Sequence, residues 1–253
     1  MDDQKHDPLG DEFFRPLVNA EKASNFLFIA SATLSLLVLL VPRQKWEVLA
    51  DAIAVAFPTS VALLFFVSIA IRLYFSPRAQ QARLQDFLSH AYDTTTHVDR
   101  SEKYYNNDAT SPSLRVIAQT LESAHFTKFI ARKMCGSARI IIALYFTCWL
   151  LFITNRNSEL TSIGIAAQIL FSEQVLARWL RLEWLRSKSE VIYEHLLTAI
   201  QNKKNNGPQA VALFTSYEIV KANAAISLSS AIFKEHSDRL TNEWDTLRKR
   251  LNI

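Results

Sequence analysis

Two runs in the first third of the chain carry no charged side chain, Ala23 to Val41 and Ala52 to Ile71, and they hold 19 and 20 residues. A hydrocarbon layer of roughly 30 Å needs about 20 apolar residues at 1.5 Å of rise each. The pattern therefore predicts two membrane-crossing helices. Pro42 ends the first, and the link Arg43 to Glu47 is too short to be a domain, so the second returns antiparallel as a hairpin. Pro58 sits in the body of the second run and predicts a kink. Ala52, Ala56 and Ser60 recur at i, i+4, a small-residue stripe that lets helix backbones approach closely in lipid, and packing against the first helix is the favoured use of it.

A third apolar segment, Ile140 to Asn155, has 16 uncharged residues with Tyr145, Phe146, Trp149 and Phe152 at its heart. With Met134 to Ser137 included and Arg139 snorkelling, it is long enough to span. The fourth, Leu160 to Ser172, is uncharged for 13 residues; extending it to Ala177 gives 18 but encloses Gln168 and Glu173. Length alone leaves a span and an interfacial helix equally open. Charge decides. With the N-terminus inside and four spans, the inner flanks hold Arg15, Lys22, Arg72, Arg78, Arg83, Lys128, Arg132, Lys133, Arg139, Arg178, Arg181, Arg186 and Lys188, against Arg43, Lys45 and Arg156 outside. Three spans would force the arginine-rich stretch after Arg178 across the membrane, against the positive-inside bias.

The expected fold is thus an all-α membrane protein, four transmembrane helices arranged as two hairpins with a cytoplasmic helical bundle, and N- and C-termini cytoplasmic. Its parts are an acidic N-terminal segment (1–22), hairpin 1 (23–75), a helical insert (76–136), hairpin 2 (137–179) and a helical C-terminal region (180–253). Phe13 and Phe14 before Pro16 predict a turn at the membrane face.

In the insert, Leu84, Phe87, Leu88 and Ala91 share one helical face over Arg78 to Tyr92. A polar stretch from Asp93 to Ser113 ends at the breaker Ser111, Pro112, and a second helix carries Leu114, Ile117, Ala118 and Leu121. The C-terminal region reads as three helices. The first passes through Trp184, Ile192, Leu196 and Ile200 and stops at Asn205, Asn206, Gly207, Pro208. The second carries the stripe Leu213, Tyr217, Val220, Ala224, Leu228, Ile232. The third is short, with Ser237 as its N-cap, Leu240, Trp244, Leu247 and Leu251 as its stripe, and Arg248, Lys249 and Arg250 at its C-terminal end, where the helix dipole favours cations.

Composition narrows the class further. Hydrophobic residues make up 49% and charged residues 21%, too many charges for a polytopic transporter held mostly in lipid. Four glycines argue against a β-rich fold and against glycine-rich phosphate loops. Cys135 and Cys148, 13 residues apart, would be about 20 Å apart on one helix, so they read as free thiols facing a reducing compartment. The first apolar run lacks a basic leader and a small-residue cleavage site, and reads as a retained anchor.

The chain holds no Walker loop, paired Cys-x-x-Cys, His-Glu-x-x-His, Gly-x-Ser-x-Gly or dinucleotide fingerprint. His6, His90, His97, His125, His195 and His236 are scattered. The expectation is a protein that is not an enzyme and takes no metal or cofactor. The leads are ionisable groups near the spans, since a carboxylate in hydrocarbon costs several kcal/mol unless it faces protein or water. Asp51 is read first as a headgroup-level residue. Gln168, Ser172 and Glu173, with Thr161 and Gly164, give the fourth helix a polar face, which suits either a water-filled path lined by several copies or an interfacial helix. Arg78, Arg83, Arg100, Lys103 and Arg115 offer cations, and Tyr104 and Tyr105 offer rings, for a ligand or partner. Lipid phosphates are their commoner use, and a net charge of +4 with pI 9.1 points to an anionic membrane surface before nucleic acid; no direct DNA binding is expected.

The stretch Arg83, Leu84, Gln85, Asp86, Phe87 through Tyr92, Asp93, followed by Tyr104, Tyr105, Asn106, is similar to a Gln-x-x-Phe-Asp type segment of SMODS-associated four-transmembrane effectors of bacterial anti-phage defence. The two-plus-two layout around a helical insert resembles that family, and also retron-associated membrane effectors. The resemblance implies a toxic effector of the inner (cytoplasmic) membrane, silent until infection. Once active it would oligomerise to permeabilise or depolarise that membrane and cause growth arrest or abortive infection. It implies a homo-oligomer in the lipid bilayer, triggered by a cyclic nucleotide signal or a defence partner such as a nucleotide synthase or reverse transcriptase complex. Two alternatives stand beside it: a small oligomeric ion channel or transporter, and a non-catalytic membrane scaffold for a cytoplasmic partner.

Overall fold

The computed structural model describes residues 9–94, 109, 111–154, 169, 173–202 and 207–253. It is helical, with no strand among the described residues. A π-helical turn, Gly10–Phe14, leads into α1 (Arg15–Leu40); α2 (Glu47–Ala70) follows, then a second π turn, Ile71–Phe75, and α3 (Ser76–Tyr92). The long α4 spans Pro112–Thr154. A third π turn, Glu173–Ala177, opens α5 (Arg178–Gln201), and α6 (Gly207–Ala224) and α7 (Ser230–Leu251) complete the chain. Two compact units result: one from Met1–Phe14, Arg78–Ser137 and Leu180–Ile253, the other from Arg15–Pro77 and Ala138–Trp179. All three π turns lie within six residues of a unit boundary, where a wider turn alters the helix path locally.

The second unit is built on α1 packed against α2. Val41 to Trp46 make the link, closed by Lys45 and Trp46 N–H groups donating to the Pro42 carbonyl at 3.0 and 3.1 Å. Mostly small side chains are buried in the pair: Ser24, Ser31 and Ser35 of α1 and Ser60 of α2, together with the larger Ile53 of α2. Ser31 Oγ donates to Ser60 Oγ at 2.9 Å, a buried hydrogen bond between the two helices. The expected stripe is only partly used, because Ala52 and Ala56 are exposed while Ser60 is buried. Pro58 stays inside α2 without ending it. Thr59 Oγ1 bonds to the Val55 carbonyl at 2.8 Å and Ser60 Oγ to that of Phe57 at 2.7 Å, side-chain donors of the kind that satisfy backbone near a helical proline.

Two helices among the described residues are long and apolar enough to cross a membrane, the continuous stretch Glu47–Tyr92 and Pro112–Leu151. Their most apolar windows are only 11% and 6% buried, which separates them from the core helices of a water-soluble domain. Leu73 is 73% exposed, Phe66 66%, and Leu144 62%.

The first unit has an ordinary apolar interior. Phe87 and Ala91 of α3, Ile117, Leu121 and Ala124 of α4, Leu185, Ile192 and Leu196 of α5, Tyr217 and Val220 of α6, and Trp244 of α7 share one core. Phe87 stacks on Phe214 with ring centroids 4.5 Å apart, and Thr127 and Tyr217 hydroxyls meet at 2.8 Å. The helix starts follow from local chemistry. Ser111 and Pro112 open α4, the serine Oγ accepting from Leu114 N–H and the proline occupying the first turn, where no amide donor is missed.

Two sequence expectations fail here. The stripe from Leu213 to Ile232 is not one helix: Ala225 takes φ 47°, residues 226–229 are non-helical, and α7 begins at Ser230. Its N-cap is Ser229, whose Oγ accepts from Ile232 N–H at 3.3 Å. Ser237 lies inside α7 and donates to the Lys234 carbonyl at 3.1 Å. Phe14 has the Arg83 guanidinium 5.0 Å over its ring.

Candidate functional site

From His125 onward, α4 places ionisable groups against α5 and α7. His125 Nε2 stands 3.9 Å from Glu243 Oε2 of α7, too far for a hydrogen bond, and both ring nitrogens are buried with no hydrogen-bond partner. One turn on, Lys128 Nζ lies 3.6 Å from the centroid of the Tyr193 ring of α5, a cation–π contact. The His125 ring is itself 5.9 Å from Tyr193. Glu243 is held on its other side by Arg239 Nε at 2.7 Å. These groups form an ionisable seam through three helices.

Burial is the main electrostatic cause throughout it. Desolvation lowers the His125 pKa from its ordinary 6.5, the Lys128 cation lowers it further, and Glu243 partly restores it. Lys128 is pushed down chiefly by burial, against the pull of Glu190 and Glu194, with Arg132 adding to the downward push. Burial, then Glu243, raises Tyr193. The arrangement favours neutral His125 packed among aromatic rings.

A second charged group lies on α3. Asp86 is fully buried and its Oδ1 is 3.5 Å from His90 Nε2, one turn further along. Residues 82, 86 and 89 are buried as well as 87 and 91, so α3 is enclosed on two faces.

The sequence candidates fall in several places. Asp51 pairs with Arg43 at 2.9 Å, both well exposed, beside a cavity of about 160 Å³ between α1 and α2 walled by Leu37, Val41, Ile53 and Ala54. Arg78 is exposed at the start of α3. Arg83 covers Phe14, and Arg115 lies in the first turn of α4 with Nε buried. Glu173 is the first residue of the third π turn. Gln168, Ser172, Arg100, Lys103, Tyr104 and Tyr105 lie outside the described residues. Sequence reasoning did not single out Lys128, Tyr193 or Glu243, and set His125 aside as scattered. The available signal was His125, Lys128 and Arg132 at i, i+3, i+7, three basic residues on one face of a helix that also carries core positions.

No protein-family model matches this chain, and neither does any curated protein or solved structure.

Proposed function

We propose that this chain is a multi-pass protein of the bacterial cytoplasmic membrane that acts as a membrane-breaching effector of anti-phage defence. In this reading four helices span, both termini and the insert lie inside, and the protein is held silent until a signal arrives. The observation that carries the proposal is the unburied apolar surface of α2 and of α4 beyond Ile140, in a chain whose other unit has a conventional core. An outward-facing apolar surface of that length requires lipid or other chains around it. The seam through His125, Lys128 and Glu243 supports a control role for the first unit, because it ties the span-bearing α4 to α5 and α7 through groups sensitive to charge. The trigger in this reading is a cyclic nucleotide or a partner protein, and the active form is a homo-oligomer.

Induced expression in a bacterial host, followed with a potential-sensitive dye, tests it. Activated protein should depolarise the membrane and stop growth, with Glu173→Leu reducing both; cells that keep their potential under full induction overturn the effector reading.

A second reading is favoured by the hairpin's own polar contacts. Ser31 bonds to Ser60 and Arg43 to Asp51, so these groups are used for packing within the pair. That suits a non-conducting scaffold anchoring a cytoplasmic partner. Under it, Gln168→Leu and Glu173→Leu leave function intact while Trp244→Ala in the core abolishes it.

A further inference from the structure

Phe129 of α4 is ringed by cations from two helices. Lys133 Nζ lies 5.8 Å from its centroid, Arg239 Cζ of α7 lies 5.6 Å away, and the His236 ring meets it edge-on at 5.2 Å. Arg132 and Lys133 follow Phe129 by three and four residues, which places all three on one helical face. Both are exposed, and among the described residues neither has a carboxylate partner. Acidic groups are near: Glu243 bonds Arg239 Nε, Glu235 lies 3.9 Å from His236, and Asp238 follows it in sequence. The Glu243 contact engages Nε and leaves the two terminal nitrogens of the Arg239 fork for a second anion.

We propose that Arg132, Lys133 and Arg239, gathered around Phe129, bind the headgroup of an anionic phospholipid. The inference rests on the membrane reading above and gives it a specific site. Its basis is the course of α4. From Lys133 to Ile140 is seven residues, about 10 Å of rise, and from Ile140 to Thr154 the helix carries no charge and turns large apolar side chains outward. A headgroup layer of roughly 5–7 Å on each side of the hydrocarbon, together with the length of lysine and arginine side chains, brings phosphate within their reach. The proximity of like charges on α4 is also relieved by a bound anion; Arg132 and Lys128 already oppose each other.

The test uses the full chain in a neutral detergent, with thermal unfolding followed as phosphatidylglycerol or phosphatidylcholine is added at equal concentration. Phosphatidylglycerol should raise the midpoint selectively. R132Q/K133Q/R239Q should weaken the apparent affinity for it by on the order of a hundredfold, about fivefold per cation. The control R248Q/K249Q/R250Q removes the same formal charge from the end of α7 and should retain the response. Equal responses to the two lipids, or equal loss in the control, overturns the site. Stabilisation by inorganic tripolyphosphate as strong as by phosphatidylglycerol overturns the assignment to lipid in favour of a soluble polyanion. A triple variant with an altered lipid-free midpoint is replaced by K133Q alone, expected to lose about fivefold. Alkaline carbonate separates the two failures. A chain released from membranes by carbonate fails the membrane reading itself, whereas a chain that stays while losing lipid preference fails only this site.

Discussion

His125 shows how one side chain can make helix packing depend on pH. Its neighbours are Phe126, Tyr193, the Lys128 ammonium and the Glu243 carboxylate, and burial with Lys128 holds its pKa below 6.5 in the folded state. As pH falls, the unfolded chain therefore takes up the proton first. The stabilisation is complete above about pH 6.5 and is lost progressively as pH drops toward the lower folded value, because between those limits the unfolded state binds more protons. Glu243, 3.9 Å away, limits the loss by partnering the imidazolium. His125→Phe keeps an aromatic ring among aromatic rings and removes the titration. Thermal midpoints at about pH 7.5 and 5.5 should differ less in this variant than in the wild type. An unchanged difference would mean His125 is hydrated in the folded state. Asp86 carries a related lesson about legibility. In the sequence it falls between Gln85 and Phe87, outside the apolar set Leu84, Phe87, Leu88 and Ala91, yet it is fully buried beside His90, since a pattern of apolar positions does not register a carboxylate enclosed with its own partner.

At the scale of elements, the C-terminal helices show which signals in a sequence locate a boundary. Ser229 holds the first turn of α7, so Ser229→Ala should cost about 1 kcal/mol, or roughly 2–4 °C in the thermal midpoint of a unit this size. Ser237→Ala should change it by less than about 0.5 kcal/mol, because that exposed hydroxyl bonds back to the preceding turn and, at 3.5 Å, to the neighbouring Asp238 carboxylate. A larger effect at Ser237 than at Ser229 would restore the helix start read from the sequence. That reading went astray for a definable reason. Ala224, Leu228 and Ile232 are spaced by four, so helical periodicity continues across a segment where the chain is not helical. The break is made by left-handed backbone at Ala225, without the glycine, proline or asparagine that would announce it. Where such residues are present, at Ser111, Pro112 and at Gly207, Pro208, helices begin at those positions. The apolar runs of α2 and of α4 were legible for the same kind of reason, since length and absence of charge are local properties. The ionisable seam was not, because it assembles from α4, α5 and α7, whose proximity only the fold supplies.

For the whole molecule, the decisive question is which solvent surrounds α2, and two positions with matched geometry answer it. Leu63 in α2 and Val211 in α6 are each 50% exposed, and each is a branched aliphatic residue in a helix. In water, an arginine at either site projects its charge into solvent, improves or preserves helix propensity, and changes stability by less than about 0.5 kcal/mol. In lipid the sites diverge. An arginine near the middle of a spanning helix costs about 2.5–3.5 kcal/mol for insertion, a factor of roughly 100 in the inserted fraction. Snorkelling softens that figure less at Leu63 than near a helix end, because the side chain must reach past about two turns of apolar surface in either direction. Leu63→Arg should therefore deplete the chain from carbonate-washed membranes, while Val211→Arg leaves membrane level and thermal midpoint close to wild type. Retention of both at the wild-type level would place α2 in water and require its 11%-buried apolar window to be covered by protein instead. Depletion by both would point to a fold sensitive to any new surface charge, which the thermal midpoint of Val211→Arg, measured on whatever protein remains, distinguishes from a lipid-specific cost.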